Sequence, residues 1–582
     1  MPRRRSPFAD ALADRNPTGG ADRSWVFVPY DQLTDRIGPL SRLGPGSAGI
    51  VVVENRWKAA QRPYHRQKLA LVLANLRHFA LEQAERGVQV RHVVADGPYR
   101  DALRPIADEL GPLTVMEPAE RELRVDLAPL VDDGLLEVVE HEGWLTTADQ
   151  FHRHTKRGHP PWRMDAFYRL VRKETGILMD ADGQPLGGKL SHDADNREPW
   201  SGDPPAAEPP TFRADEITAE VLELVERDFA RHPGRLDAAA LPATKRQATA
   251  LWTWAKQACM ERFGPYEDAM STRSTTIFHT RVSALMHLHR LLPQQVVNDA
   301  LELDIPLNSK EGFVRQILGW REFMRHVHRE TDGFRSIPDR EGRRRRIKTA
   351  GEPGDGGWSA WAGEAWRDGD RQDPDRDDAS TAGGAMPTKL RATRPVPPAF
   401  WGETSGLACL DTVVRAVWDE AYGHHITRLM VLSNLATLLN LDPRELTDWF
   451  WVAYADAYDW VVEPNVLGMG TFAVGELFTT KPYVSGAAYI HKMSDYCGDC
   501  RFDPKKTCPI TSLYWAFLGR NHVALEGNVR IAMPLRSQQK RKPAQQTRDA
   551  RLYDVVSELL AAGEELTPDR LAERVDGAET SR

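Results

Sequence analysis

The chain is 582 residues long, 41% hydrophobic and 27% charged, with a formal net charge of −7. That balance describes an ordinary soluble globular protein with room for more than one domain; it excludes an all-over cationic coat for nucleic acid, although a local basic groove can coexist with an acidic total. No stretch approaches the roughly 20 apolar residues that span a bilayer, and no apolar run follows Arg3, Arg4 and Arg5, so neither a membrane segment nor a secretory signal is predicted and the expected compartment is the cytoplasm.

Residues 1–22 read as a disordered, mildly basic lead-in. From there to residue 150, short apolar runs alternate with helical patterns. Trp25–Pro29, Gly49–Val53, Gln89–Val94 and Leu113–Met116 read as buried strands, and Gln67–Arg86 as a helix. Strands separated by helices predict a parallel, doubly wound α/β sheet. No GxGxxG and no Walker loop is present, so a simple dinucleotide or ATP site finds no support here. Residues 151–214 form the interdomain connection, with a Pro-rich, acidic linker from about Glu198 to Thr211. Beyond it, helical patterns dominate over 215–231, 244–262, 281–301, 310–330, 407–440 and 444–460, which predicts an all-α second domain over 215–332 and 398–525. Residues 333–397, dense in Gly, Asp, Arg and Pro, read as a mobile insertion. Its Arg343–Arg346 run is either a solvated charge run or a phosphate contact. Residues 526–582 read as a charged tail with one amphipathic helix near 551–562.

Five cysteines occur. Cys497 and Cys500 form a C-x2-C pair, Cys508 follows with Pro509 directly after it, and Cys409 lies far upstream. In a reducing compartment such clustering favours metal over disulfides. On spacing alone an iron–sulfur cluster, a zinc ion and unliganded thiols all stay open. Cys259 sits on an apolar helical stretch and reads as core.

Several longer segments carry a resemblance. Trp401-Gly402 ahead of Cys409, Ala421-Tyr422-Gly423-His424-His425-Ile426-Thr427-Arg428, Tyr454-Ala455-Asp456-Ala457-Tyr458-Asp459-Trp460, Lys481-Pro482-Tyr483 and Met493-Ser494-Asp495-Tyr496-Cys497 together resemble the bacterial iron–sulfur (6-4) photolyases of the photolyase/cryptochrome superfamily. The similarity runs from about residue 24 to 525, apart from 333–397. It implies an N-terminal antenna domain over 23–150, an all-helical domain holding FAD, and a [4Fe-4S] cluster on Cys409, Cys497, Cys500 and Cys508. It also implies FAD contacts at His279, Thr280, Ser283, Gln316, Arg321 and Asp456. A 6,7-dimethyl-8-ribityllumazine antenna is implied at Asp31, Gln32 and Glu54, where Pro29-Tyr30 replaces the family's usual glycine.

Repair of a (6-4) lesion needs an electron from a photoexcited reduced flavin and an acid to protonate the lesion, a task that suits histidine. By the resemblance His425 is the catalytic histidine with His424 beside it, and Tyr483 and Asp268 contact the lesion. Trp449, Trp401 and Tyr489 match the electron route, with Phe450 where the family often has tyrosine. Val462 stands where the family has a glutamate facing the flavin's N5, with Glu463 next to it. The implied partner is UV-damaged DNA bound as a flipped dinucleotide by a monomer. A non-repairing blue-light receptor on the same fold is one alternative, and an iron–sulfur nuclease or helicase-like enzyme without flavin is another.

Overall fold

The computed structural model describes residues 6–17, 23–155, 158–349 and 384–576. Five strands, β1 (Ser24–Phe27), β2 (Ala48–Asn55), β3 (Gln89–Ala95), β4 (Leu113–Met116) and β5 (Leu136–Val139), form one sheet in the order β3-β2-β1-β4-β5, and every pairing is parallel. Alternation along the strands divides the apolar side chains between two faces. Val26, Ile50 and Val52 join Leu76 and Phe79 of the helix Arg66–Glu85 on one face. Phe27, Val51, Val53 and Val115 join Leu103, Ile106 and Leu127 on the other. With both faces covered, β2 is buried at all of its positions, which is why it reads as a continuous apolar run. Gly49 is required there: a Cβ would come within 2.6 Å of the Trp25 ring. The fifth strand was not expected, because only Leu136 of its four residues is buried.

The second region is helical and packs against the first core through Tyr458 and Trp460. Several predicted helices are shorter than their periodicity. The 281–301 pattern divides into Ser283–His287 and Pro293–Glu302, because His289 takes φ 57° between them. The 407–440 pattern breaks after Ala408–Glu420 at Ala421, with φ 51°, and 444–460 breaks after Pro443–Ala453. Three segments, Arg315–Arg321, Thr427–Ser433 and Glu463–Gly470, are wound as π-helix.

Three sequence expectations at the chain's margins are corrected. Within the lead-in, Pro7–Arg15 is a helix, capped by Ser6 and anchored by buried Phe8; residues 1–5 and 18–22 lie outside the described residues. The expected insertion 333–397 has folded flanks: Phe334, Ile337, Ala385, Leu390 and Val396 are buried, and β6 (Ser336–Pro338) pairs antiparallel with β7 (Arg344–Arg346). Residues 350–383 lie outside the described residues. The expected tail contains the helices Ala532–Gln539, Pro543–Ala561 and Pro568–Asp576, with Leu552, Val556, Leu559 and Leu560 buried against the helical core. Apart from buried Asp549, most of their charged residues occupy the outer faces and hide an apolar stripe from a reading by composition.

Candidate functional site: a polar-lipped cleft and a convergent cysteine set

A cleft of about 320 Å³ opens in the helical region, within the roughly 300–1,000 Å³ typical of small-ligand sites. His279, Thr280, Ser283, Gln316, Arg321, His424, His425, Asp456 and Val462 all line it, so the sequence-predicted flavin contacts are brought together. All three π-wound segments contribute: Gln316 and Arg321 from the first, Arg428 from the second, Asn465 from the third. A π-turn inserts a residue and rotates the following side chains, a device common at functional sites.

Asp456 is the electrostatic centre of the cleft. Ser283 Oγ donates to its Oδ2 at 2.6 Å and Arg428 pairs with it at 3.0 Å, while its backbone carbonyl lies 2.9 Å from His287 Nδ1. Burial would raise its pKa, but the Arg428 guanidinium, with His287 and Ser283, holds the carboxyl below its usual range. Arg428 in turn lies 4.0 Å over the Tyr454 ring. Elsewhere the lining is unsatisfied: His279 Nε2, Arg321 Nε, one terminal Arg321 nitrogen and His424 Nδ1 are buried without a hydrogen-bond partner. Buried polar atoms without partners are rare, so a cleft presenting several fits a polar ligand such as FAD. Arg281, Tyr422 and Arg428 line it too and were missed as contacts in the sequence, since a lone arginine or tyrosine carries no pattern.

At the mouth, His425 is the exposed member of a histidine group. Its Nε2 lies 3.7 Å from Asp268 Oδ1, and Asp268 Oδ2 accepts from the Tyr489 hydroxyl at 3.2 Å. Tyr489 therefore belongs with Asp268 and His425. Tyr483 does not line the cleft; burial raises its phenol pKa, with Asp165 and Asp193 nearby.

The tryptophans form a file. Phe450 lines the cleft and packs on Trp449 at 5.1 Å between ring centres; Trp449 meets Trp418 at 5.9 Å, and Trp418 stacks on Trp401 at 5.3 Å. Both Trp418 and Trp449 donate their indole N–H to the carbonyl of Phe400, at 2.9 and 3.0 Å. Trp418 was missed in the sequence, where it was one of seventeen tryptophans.

Val462 lines the cleft, but Glu463 does not. Arg444 donates to Glu463 Oε1 at 2.7 Å and His328 Nε2 lies 2.8 Å from Oε2. Against burial, these partners hold its pKa down at about 2. Glu463 is thus occupied in a buried ion network and does not replace the missing carboxylate at 462.

Cys409 is buried at the start of Ala408–Glu420, and Cys508 caps Pro509–Arg520, so two thiols sit at helix N-termini, where partial positive charge favours anions. Burial raises the Cys409 thiol pKa, and Cys508, Cys500 and Cys497 raise it further, which places the four in one electrostatic compartment. Four thiols in one buried compartment, two of them at helix N-termini, suit a thiolate-held metal centre. Cys259 is separate: its thiol is buried and lies 3.7 Å from the His279 carbonyl.

Comparison with known proteins agrees with this geometry. Residues 26–241 match the family model described as deoxyribodipyrimidine photo-lyase-related protein. A (6-4) photolyase of Agrobacterium fabrum is 31% identical over 532 residues, covering 88% of this chain and 94% of that one. The chain belongs to the photolyase family. A crystal structure of a bacterial class III photolyase from Agrobacterium tumefaciens aligns with a TM-score of 0.46 at 14% identity, over 97% of this photolyase-family chain and 98% of that one. A cryptochrome from Synechocystis aligns at 0.45 and 13%, over 78% and 83%.

The antenna residues of this photolyase-family chain are not arranged as expected. Glu54 is fully buried and bound by Arg77 at 2.9 and 3.1 Å, with Arg56 and His92 alongside; against burial they hold its pKa at about 2. Gln32 donates to the Met116 carbonyl at 2.9 Å. Tyr30, in place of glycine, stacks on Tyr458 at 6.2 Å between ring centres. Asp31 alone has unpartnered carboxylate oxygens. Three residues expected to hold a lumazine thus include two committed to the protein, and they do not fit that group.

Proposed function

We propose that this chain repairs pyrimidine (6-4) pyrimidone photoproducts in UV-damaged DNA, driven by light, with FAD held in the cleft. The observation that carries the reading is His425: a half-exposed imidazole backed by a carboxylate, at the lip of a cleft whose buried histidine and arginine donors lack partners. When bound, the flavin supplies light absorption and the electron.

The chain's own residues do the rest. Asp456, kept ionised by Arg428, would hold the flavin ring, with Thr280, Arg281 and Ser283 lining the cleft beside it. Arg321, whose guanidinium carbon lies 4.2 Å from the Trp144 ring centre and which keeps two nitrogens without a hydrogen-bond partner, would help to hold the cofactor. His425 holds the proton that the lesion takes up and recovers it afterwards, with Asp268 orienting its ring. The lesion must leave the stack to reach this point, so the cleft receives a flipped dinucleotide. Trp449, Trp418 and Trp401 carry electrons from outside towards the cleft, and Phe450, a poor hole carrier, is passed over.

Cys409, Cys497, Cys500 and Cys508 would hold a [4Fe-4S] cluster, whose cationic irons supply the charge that four mutually repelling thiolates need. The lumazine antenna is not part of the proposal. No helix among the described residues is long and apolar enough to cross a membrane; a cytoplasmic monomer acting on DNA is the arrangement we propose.

His425→Ala tests the reading. Removing an acid/base group costs about 100- to 10,000-fold, so (6-4) repair should collapse while flavin content and lesion binding persist. Repair at the parental rate would contradict the assignment.

A further inference from the structure

Glu267 is buried beside the cleft and is surrounded by donors. Its Oε1 accepts from Gln316 Nε2 at 2.6 Å; its Oε2 accepts from Asn196 Nδ2 at 2.8 Å and lies 3.4 Å from an Arg315 nitrogen. Asn196 cannot be turned round. The same Nδ2 also meets the Asn308 backbone carbonyl at 3.3 Å, a group that only accepts, while its Oδ1 takes Asn308 Nδ2 at 3.1 Å. The fit is close: a Cβ at Gly312 would come within 2.8 Å of Asn196 Nδ2 and 3.1 Å of Glu267 Oε2. Arg315 and Gln316 open the first π-wound segment and supply two successive side chains to this one carboxylate. Burial raises the Glu267 pKa, while Arg315, His425 and Asn196 oppose the rise and favour the carboxylate.

An ionised carboxylate has no proton to give, so only the –NH2 end of the Gln316 amide can face it. The carbonyl oxygen of Gln316, a residue that lines the cleft, is left for the cleft's occupant. We propose that Glu267 is a positioning residue: it fixes the Gln316 amide with its acceptor towards the cleft, and Gln316 thereby selects a lesion that offers an N–H. This rests on the photolyase reading of the cleft. The acceptor is assigned to the lesion because Glu267 belongs to the mouth. It directly precedes Asp268, whose carboxylate lies 3.7 Å from His425, and its own carboxyl feels the His425 charge. The lesion's chemistry matches. The 5′ ring of a (6-4) photoproduct keeps an imide N–H and its 3′ pyrimidone ring has none, so a single acceptor tells one end of the lesion from the other.

The test uses full-length, flavin-loaded protein and two oligonucleotides, one with the (6-4) photoproduct and one with its 5′ ring methylated at the imide nitrogen. Light-driven repair of each is measured, with flavin absorbance recorded for every variant. The parent should repair the unmethylated lesion at least about tenfold more efficiently, the loss expected when a desolvated acceptor is left unpaired. In Glu267→Gln the new amide keeps its oxygen towards Asn196 and Arg315 and turns its –NH2 towards Gln316. Gln316 must then rotate and present a donor to the cleft, so the preference should disappear. Combining Glu267→Gln with Gln316→Glu returns an acceptor to the cleft and should restore the preference, which a purely structural role for Glu267 would not do. Slower repair of both lesions in Glu267→Gln with the preference intact, or no preference in the paired variant, overturns the positioning role. Equal repair of both lesions by the parent overturns the N–H recognition. Flavin lost from Gln316→Leu with the lesion preference kept overturns the assignment to the lesion and gives the acceptor to the cofactor. A parent that repairs neither lesion refutes the photolyase reading, and the inference falls with it.

Discussion

Two indole N–H groups, those of Trp418 and Trp449, share the Phe400 carbonyl, and that common acceptor holds the tryptophan file in register. Trp418→Phe keeps an aromatic ring in place but removes the oxidisable indole between Trp449 and Trp401. Light-driven flavin reduction, followed by transient absorbance with an external donor, should slow, while chemically reduced protein keeps its repair rate. Asp31 makes a pH prediction. Burial, only partly opposed by Lys58, pushes its pKa up to about 6 from 3.8. The folded state then binds more protons than the unfolded state between those values, so Asp31 costs stability as pH rises through that window. Asp31→Asn should raise the melting temperature at pH 7 by an amount corresponding to up to about 3 kcal/mol, and the gain should vanish near pH 4. At this scale the site was legible through long motifs only. Asp456, Gln316 and His279 look ordinary in isolation, and the structure brings them to one cleft. Trp418, Arg281 and Arg428 went unseen because their roles depend on neighbours distant in sequence. Glu54 and Gln32 are engaged by Arg77 and the Met116 carbonyl, buried partners that cannot be read from local pattern.

The elements that shape the cleft depart from regular helix. Periodicity near 3.6 locates helical stretches well, and the sheet strands followed from apolar runs, but π-winding over Arg315–Arg321, Thr427–Ser433 and Glu463–Gly470 leaves no comparable trace. The break at Ala421 was also unreadable, since alanine is not a usual carrier of positive φ, and histidine, though it takes that region more readily, gives no local signal at His289. The C-terminal helices show the opposite failure: their charge content masked a buried stripe. Leu559, 1% exposed in Pro543–Ala561, packs into the main core. Leu559→Ala should cost about 2–5 kcal/mol, seen as a lower midpoint in denaturant unfolding. A change near zero would mean that this helix layer is not part of the cooperative unit.

Across the whole molecule, a parallel sheet and a helical region share a boundary at Tyr30, Tyr458 and Trp460, and the cleft and the cysteine compartment both lie in the helical part. The two-region plan was evident from the change in periodicity along the chain, and the cysteine set from its spacing. Metal analysis of protein purified without oxygen tests the second compartment. Cys409→Ser, Cys497→Ser, Cys500→Ser and Cys508→Ser should each give iron-free or insoluble protein, because cluster binding is coupled to folding. Cys259→Ser should keep parental iron, and zinc in its place would refute the cluster. The most direct measurement for the account as a whole is repair itself. Reduced, flavin-loaded protein is illuminated with oligonucleotides carrying one (6-4) photoproduct or one cyclobutane dimer, and restored bases are counted. The expected result is light-dependent restoration of the (6-4) site, absent in the dark. No restoration in the light, or restoration of the cyclobutane dimer alone, would contradict it.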